Sequence, residues 1–247
     1  MYIPQGLVSA IAAVSPNAIF SKVTHEKVIG LTIDDVPTAS QPGYPSTQRI
    51  LGAIADYNQT LIDQTYRAHA TFFVIGEQLT HGTNILHQII EQGHEIGNHG
   101  MRDHTHASLP YGVLDEEIWR SHQLLTSDTG AQIQWFRPGR GIYNQGMVTM
   151  LRRLQPHGYH PKVVLASMVP LDTRSEFKSP AFTVQYASTF VFPGAILVLH
   201  GGSEERDRNT AQVLRTLLPR LQAKGYRAIT LSQLFSQPTQ LSPLQSG

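Results

Sequence analysis

Short apolar runs recur along the chain and alternate with longer segments in which apolar residues return every three or four positions. The runs are Lys27–Ile33, Ala70–Ile75, His94–Gly97, Ile133–Phe136, Lys162–Ala166, Ala195–Leu199 and Tyr226–Thr230. Their length and their content of β-branched and apolar residues predict buried strands. Between them, Thr47 to Ala68 places Ile50, Leu51, Ile54, Leu61 and Ile62 at helical spacing. Thr83 to Gln92 carries Ile85, Leu86, Ile89 and Ile90 and stops at Gly93, a helix-terminating residue. Pro110 to Thr126 and Asn209 to Lys224 read the same way, the second stopping at Gly225. Strand–helix alternation without a clear hairpin signal predicts an α/β fold with a parallel sheet of about seven strands, most simply a barrel.

Four of the runs end in polar clusters. Thr32-Ile33-Asp34-Asp35 closes the first run, and Asn98-His99-Gly100-Met101-Arg102-Asp103-His104 follows the third. Phe136-Arg137-Pro138-Gly139 and Leu197-Val198-Leu199-His200 close the fourth and sixth. In a βα barrel such ends share one rim, where functional groups gather. Adjacent carboxylates at the tip of a buried strand resist joint ionisation unless a cation or basic partner separates their roles. A metal resolves this, with one Asp as ligand and the other as a base beside metal-bound water.

Composition narrows the partners. The chain has 247 residues and a formal net charge of +1, from 19 basic against 18 acidic side chains. That balance makes no electrostatic case for nucleic acid or an anionic membrane. No run approaches the roughly 20 apolar residues of a membrane helix. Gly6 to Val14 has no preceding basic residue and makes a poor signal peptide, so the compartment is left open. Cysteine is absent, which excludes disulfides, thiolate metal sites and a Cys nucleophile. The 12 histidines suit a metalloenzyme. The organisation expected is an N-terminal extension over 1–26 packed on a barrel domain over 27–236, and a loose tail over 237–247 rich in Pro, Ser and Gln.

The four clusters, in this order, resemble the motifs of the polysaccharide deacetylase (NodB-homology) family, carbohydrate esterase family 4. The resemblance runs from about Lys27 to Phe235. It implies a distorted (β/α) barrel and a metal-dependent hydrolase that removes acetyl groups from sugar polymers, most often from N-acetylglucosamine units. The first motif, usually Thr-Phe-Asp-Asp-Gly, is similar to Thr32-Ile33-Asp34-Asp35-Val36. This implies that Asp34 is the general base and Asp35 a metal ligand. Val36 replaces the glycine, and a β-branched residue tolerates positive φ badly, so the turn after Asp35 is expected to differ.

The second motif usually has two histidines four residues apart. Here the position four after His99 is Asp103, and His104 falls one later. This chain is similar to a branch of the family with Asp at the second ligand position, which implies Asp103 as the third ligand with Asp35 and His99. One helical turn would carry 99 and 103 to one side and swing 104 further round, unless Gly100 lets the loop bulge. His104 and His106 stay as rivals. The third motif, usually Arg-Pro-Pro-Tyr, corresponds to Arg137-Pro138-Gly139-Arg140, with Arg137 holding Asp34 and no aromatic at 140. The last, usually Leu-x-His, corresponds to Val198-Leu199-His200, with His200 as general acid. Asp172 matches weakly the Asp that hydrogen-bonds this histidine in the family; a plain turn reads as well there.

The implied cofactor is a divalent metal, Zn²⁺ first, with Co²⁺ or another ion as alternatives. The implied partner is a carbohydrate polymer or oligosaccharide. An O-acetyl esterase on xylan-type polymers and a non-catalytic carbohydrate-binding protein are the rival functions. No serine lies in a Gly-x-Ser-x-Gly turn, which argues against a serine hydrolase.

Overall fold

The computed structural model describes residues 5–170, 172 and 179–239. Its sheet is organised around β2 (Val28–Val36), a strand with all nine residues buried. β6 (Ile196–His200) pairs along one edge of β2, from Gly30 to Asp34. Two strands share the other edge: β7 (Arg227–Ile229) pairs with Val28–Gly30, and β3 (Thr71–Val74) takes over from Thr32. β4 (Glu95–Asn98) extends the sheet beyond β3. All these ladders are parallel, as expected for strands joined by helical crossovers.

The wall continues irregularly. Single parallel bridges join Asn98 to Phe136 and Met168 to Leu197. Val164 N–H donates to Phe136 C=O at 3.0 Å. Among the described residues no regular ladder closes the ring, so the barrel is distorted. The run Ile133–Phe136, expected as a strand, contributes one bridge only. Pro138 follows it and lacks a ladder donor, and the side chain of Arg137 meets the carbonyls across the gap instead. A strand that was not expected, β1 (Ala18–Ile19), pairs in parallel with β5 (Val163–Val164).

Helices cover the outside. α2 (Pro45–Gln59) packs on α7 (Glu204–Ala223). Ile50, Leu51 and Ile54 of α2 and Leu214, Leu217 and Leu221 of α7 are all buried. Full burial is worth about 1.5–3 kcal/mol for each such side chain. α3 (Asn84–Glu91) and α4 (Tyr111–Thr126) fall where periodicity places them. The helix expected over 47–68 ends at Gln59, because Asp63 accepts from Thr65 N–H at 2.9 Å and caps a short 3₁₀ turn, leaving Ile62 in solvent. The helix expected from Asn209 begins at Glu204: Ser203 caps it, and Glu204, Glu205 and Asp207 suit the positive helix end. α1 (Gln5–Val14), α5 (Gln145–Leu154), α6 (Pro180–Phe190) and α8 (Leu231–Phe235) complete the set. No helix among the described residues is long and apolar enough to cross a membrane.

The N-terminal segment is stitched into the sheet. Beyond the β1–β5 pairing, Ser21 and Ala195 form an antiparallel bridge, and Lys22 N–H donates to Gly194 C=O at 2.8 Å. At the other end, Lys22 Nζ reaches Thr239 Oγ1 at 2.6 Å. The rest of the expected tail, 240–247, lies outside the described residues.

Gly194 has φ +79°, and a Cβ there would overlap the Lys22 carbonyl oxygen. Gly194→Ala is expected to cost about 2–4 kcal/mol, since it combines backbone strain with loss of this docking. Urea unfolding checks this: the midpoint should fall with an unchanged slope.

Candidate active site

A bulge builds the centre of the site. Along the β2–β3 ladder Ile33 pairs with Phe72 and Val36 with Val74, so a step of three residues on β2 faces a step of two on β3. The extra residue falls at Asp34–Asp35, and Asp35 takes φ 63°. In a regular strand neighbours point to opposite faces. The bulge and the left-handed Asp35 instead turn both carboxylates into one pocket. The strain expected at Val36 is thereby avoided: the left-handed residue is Asp35, and Asp tolerates that region better than a β-branched residue. Val36 stays extended within β2 and is buried.

The pocket holds about 500 Å³. Asp34, Asp35, His99, Asp103, Arg137 and His200 all line it, but among the described residues the ligand atoms of Asp35, His99 and Asp103 are not gathered within 4.8 Å of one another. The lining also includes the apolar side chains of Phe20, Leu165, Val169 and Val198.

Arg137 is 4% exposed at its side chain and spends its donors on Asp34 and its surroundings. Nη1 donates to Asp34 Oδ1 at 2.6 Å and to Thr32 Oγ1 at 2.7 Å. Nε and Nη2 donate to the carbonyls of Val164 and Leu165 at 3.3 and 3.1 Å. The guanidinium lies 4.2 Å from the centre of the Phe73 ring. Asp34 is therefore held through Oδ1, and Oδ2 is turned toward His99 Nε2 at 4.0 Å.

His99 stands between the carboxylates. Its Nδ1 is 2.7 Å from the Arg137 carbonyl, so Nδ1 is the protonated donor. Nε2 faces Asp35 Oδ1 at 3.3 Å. Burial alone would lower the His99 pKa, but the Asp35 hydrogen bond and the two carboxylate charges raise it. Burial alone would raise Asp35; His99, His200 and Arg206 bring it down to about 2. Arg206, on the first turn of α7, places Nη1 3.2 Å from Asp35 Oδ2. Nothing in the sequence marked Arg206, because the helix start at Glu204 that aims it was read five residues too late.

His200 is fixed by Asp172. Its Nδ1 lies 2.7 Å from Asp172 Oδ1, and its backbone N–H donates to Oδ2 at 3.0 Å. Burial opposes the charged imidazolium, but Asp172, with Asp34 and Asp35, raises the His200 pKa to about 9. Asp172, weakly matched in the sequence, is here the orienting partner of His200.

The loop after His99 is not helical. Gly100 takes φ +85° and residues 101–104 form bends, so the helical turn invoked for His99 and Asp103 is absent. Asp103 still lines the pocket, where its Oδ1 pairs with Arg140 Nη2 at 3.0 Å. His104 turns away to Glu117, with Nε2 2.9 Å from Oε2. His104, His106 and Glu117 bring ligand atoms within 4.8 Å of one another. Their hydrogen bonds suit a cation poorly. Glu117 already holds His104 and Arg102. His106 Nδ1 accepts from Gly139 N–H at 2.8 Å, and burial with the charges of His99 and His104 lowers its pKa to about 3. Its Nε2 then carries the proton and offers no lone pair. Asp35 and His99 fit a divalent cation better: they share a proton where they could share a cation, and Arg137 fixes the tautomer that leaves His99 Nε2 free to ligate.

Comparison with known proteins identifies the family and the fold. The polysaccharide deacetylase family model matches residues 21–159. A peptidoglycan-N-acetylglucosamine deacetylase of Bacillus cereus is 30% identical over 222 residues, covering 85% of this chain and 89% of that protein. The crystal structure of the Bc1960 peptidoglycan N-acetylglucosamine deacetylase superposes with a TM-score of 0.75 at 23% identity, over 94% of this chain and 99% of that one. Wild-type BA3943 of Bacillus anthracis, a CE4 family pseudoenzyme, gives 0.74 at 20% identity, over 91% and 71%. At these identities the two structures speak for the fold alone.

Removing Arg137 would strand a buried carboxylate. Arg137→Leu is expected to destabilise the protein by about 3–5 kcal/mol. Arg137→Leu combined with Asp34→Asn should recover part of that loss. Denaturant unfolding of the two single variants and the double variant measures the coupling.

Proposed function

The chain belongs to the polysaccharide deacetylase family, and on that premise we propose that it hydrolyses the N-acetyl groups of a peptidoglycan- or chitin-like sugar polymer with the help of a bound divalent cation. The observation that carries this reading is the pairing of two oriented proton carriers on one pocket: Asp34 held by Arg137, and His200 held by Asp172. A protein that only binds sugar has no use for both. The pseudoenzyme among the similar folds makes turnover the point to measure.

Asp35, His99 and Asp103 would hold the cation, Zn²⁺ first. Asp103 would exchange its Arg140 partner for it. Held there, a divalent ion supplies Lewis acidity, lowering the pKa of water and polarising an acyl oxygen. The remaining chemistry is the chain's own. Asp34 takes the proton of the attacking water on Oδ2, because Arg137 engages Oδ1. Arg137 keeps the carboxylate oriented without competing for that proton, since its guanidinium does not deprotonate. His200, charged at neutral pH, gives the Nε2 proton to the departing amine. Asp172 keeps Nδ1 protonated and so aims Nε2 at the pocket.

The primary test is acetate release from N-acetylated chitin and peptidoglycan fragments and from O-acetylated xylan fragments, before and after chelation and with Zn²⁺ or Co²⁺ restored. Release from the N-acetylated set that chelation abolishes is the expected result. Release only from xylan would replace the reading with an esterase, and no release from any would replace it with a binding protein. Calorimetry with Zn²⁺ tests the ligands: Asp35→Ala, His99→Ala and Asp103→Ala should weaken binding by orders of magnitude, and His104→Ala little. Loss with His104→Ala or His106→Ala would move the cation to the histidine cluster.

The proton roles predict a pH profile. His200 must be charged to act as acid, so kcat/KM should fall as pH rises through about 9. In Asp172→Asn the carboxylate that holds this proton is gone, and the alkaline limb should shift to lower pH. An unmoved limb would remove His200 from the acid role.

A further inference from the structure

We propose that Phe20, contributed by the N-terminal segment, is a stacking platform for a sugar ring of the polymer and sets the affinity for oligosaccharides. The proposal deepens the deacetylase reading and rests on it for the substrate class.

Phe20 lies just before the region matched by the family model, which begins at residue 21. Its place is nevertheless fixed at the active pocket. β1 ends at Ile19, whose carbonyl accepts from Leu165 N–H at 2.7 Å. On the other side, Ser21 bridges Ala195 and Lys22 N–H reaches Gly194. Residue 20 is therefore pinned on both flanks, next to the segment that follows β5, and its half-buried ring lines the pocket.

The pocket lining is mixed: the charged groups Asp34, Asp35, His99 and His200 share it with the apolar side chains of Phe20, Leu165 and Val169. A pyranose ring is built the same way, with hydroxyl and acetamido groups around its edge and C–H bonds on its faces. The acetamido group would meet the charged groups while a ring face covers Phe20. An aromatic ring buries large apolar area with few rotatable bonds, so such a contact loses little entropy on binding. The first turn after Arg137 supplies no aromatic at this pocket, since residue 140 is Arg, so a ring donated from outside the family-matched region meets a need the motif leaves open.

Calorimetric binding of the N-acetylglucosamine tetramer to the metal-loaded protein tests this, together with the initial rates of deacetylation. Phe20→Ala should weaken the tetramer's Kd and raise KM about tenfold, with kcat within about twofold, because the residue touches no proton carrier. Phe20→Tyr should bind like the parent. Phe20→Leu separates stacking from packing: it keeps apolar bulk without a flat face and should bind like Phe20→Ala. Thermal midpoints near the parent's for Leu and Tyr exclude misfolding. Tetramer binding unchanged in Phe20→Ala, or parent-like in Phe20→Leu, overturns the platform and leaves the deacetylase reading standing. Phe20-dependent binding without acetate release supports the platform and removes the catalytic reading. A parent protein that binds no tetramer overturns the platform as well.

Discussion

The structure depends on one buried cation. Arg137 lies inside the wall where regular strand pairing fails, and its guanidinium substitutes for the missing ladder. It reaches Thr32 and Asp34 on β2 and the carbonyls of Val164 and Leu165 beyond the gap. A buried charge is costly, and it is tolerated here because a carboxylate and three further acceptors surround it. The interaction serves two levels at once: it bridges the distorted side of the barrel and it decides which oxygen of Asp34 is left free. The backbone of the same residue fixes His99, whose Nδ1–H meets the Arg137 carbonyl. One residue thus orients both Asp34 and His99.

Around that anchor the site separates like charges. Asp34 and Asp35 are neighbours in sequence and face one pocket, yet each has its own counter-charge. Arg137 serves Asp34 from within, and Arg206 and His99 serve Asp35 from the rim. His200 carries a further positive charge, held by Asp172. His99, His200 and Arg206 keep Asp35 ionised against the burial that would favour its neutral form. Arg206 has a structural origin as well: Ser203 caps α7, and the first turn that follows swings the arginine toward Asp35.

The motif order and the strand ends were legible in the sequence, because a buried parallel strand shows as an apolar run and its polar end as a break in it. Asp34, Asp35, His99, Arg137 and His200 were all readable that way, and so was the parallel α/β architecture. Features held by single hydrogen bonds were not. The run Ile133–Phe136 looks like a strand in composition and makes one bridge, since pairing depends on a neighbour that the run itself does not encode. Ala18–Ile19 is too short for any period to register. The loop from Gly100 to His104 follows the left-handed Gly100, so spacing by helical turns misjudged its backbone even though Asp103 still reaches the pocket.

What the sequence determined by itself is local: which segments are apolar, where they stop, and which chemical groups stand at their ends. The tertiary structure decided the rest. It chose the bulge that turns two adjacent aspartates to one side, because the β2–β3 register is set by two strands together. It brought Phe20 to the pocket and Arg206 against Asp35 from places no motif spans, and it set the weakly matched Asp172 on His200. Side-chain direction across a sheet and between a helix end and a strand end depends on register and docking angle, and both are properties of the assembled chain.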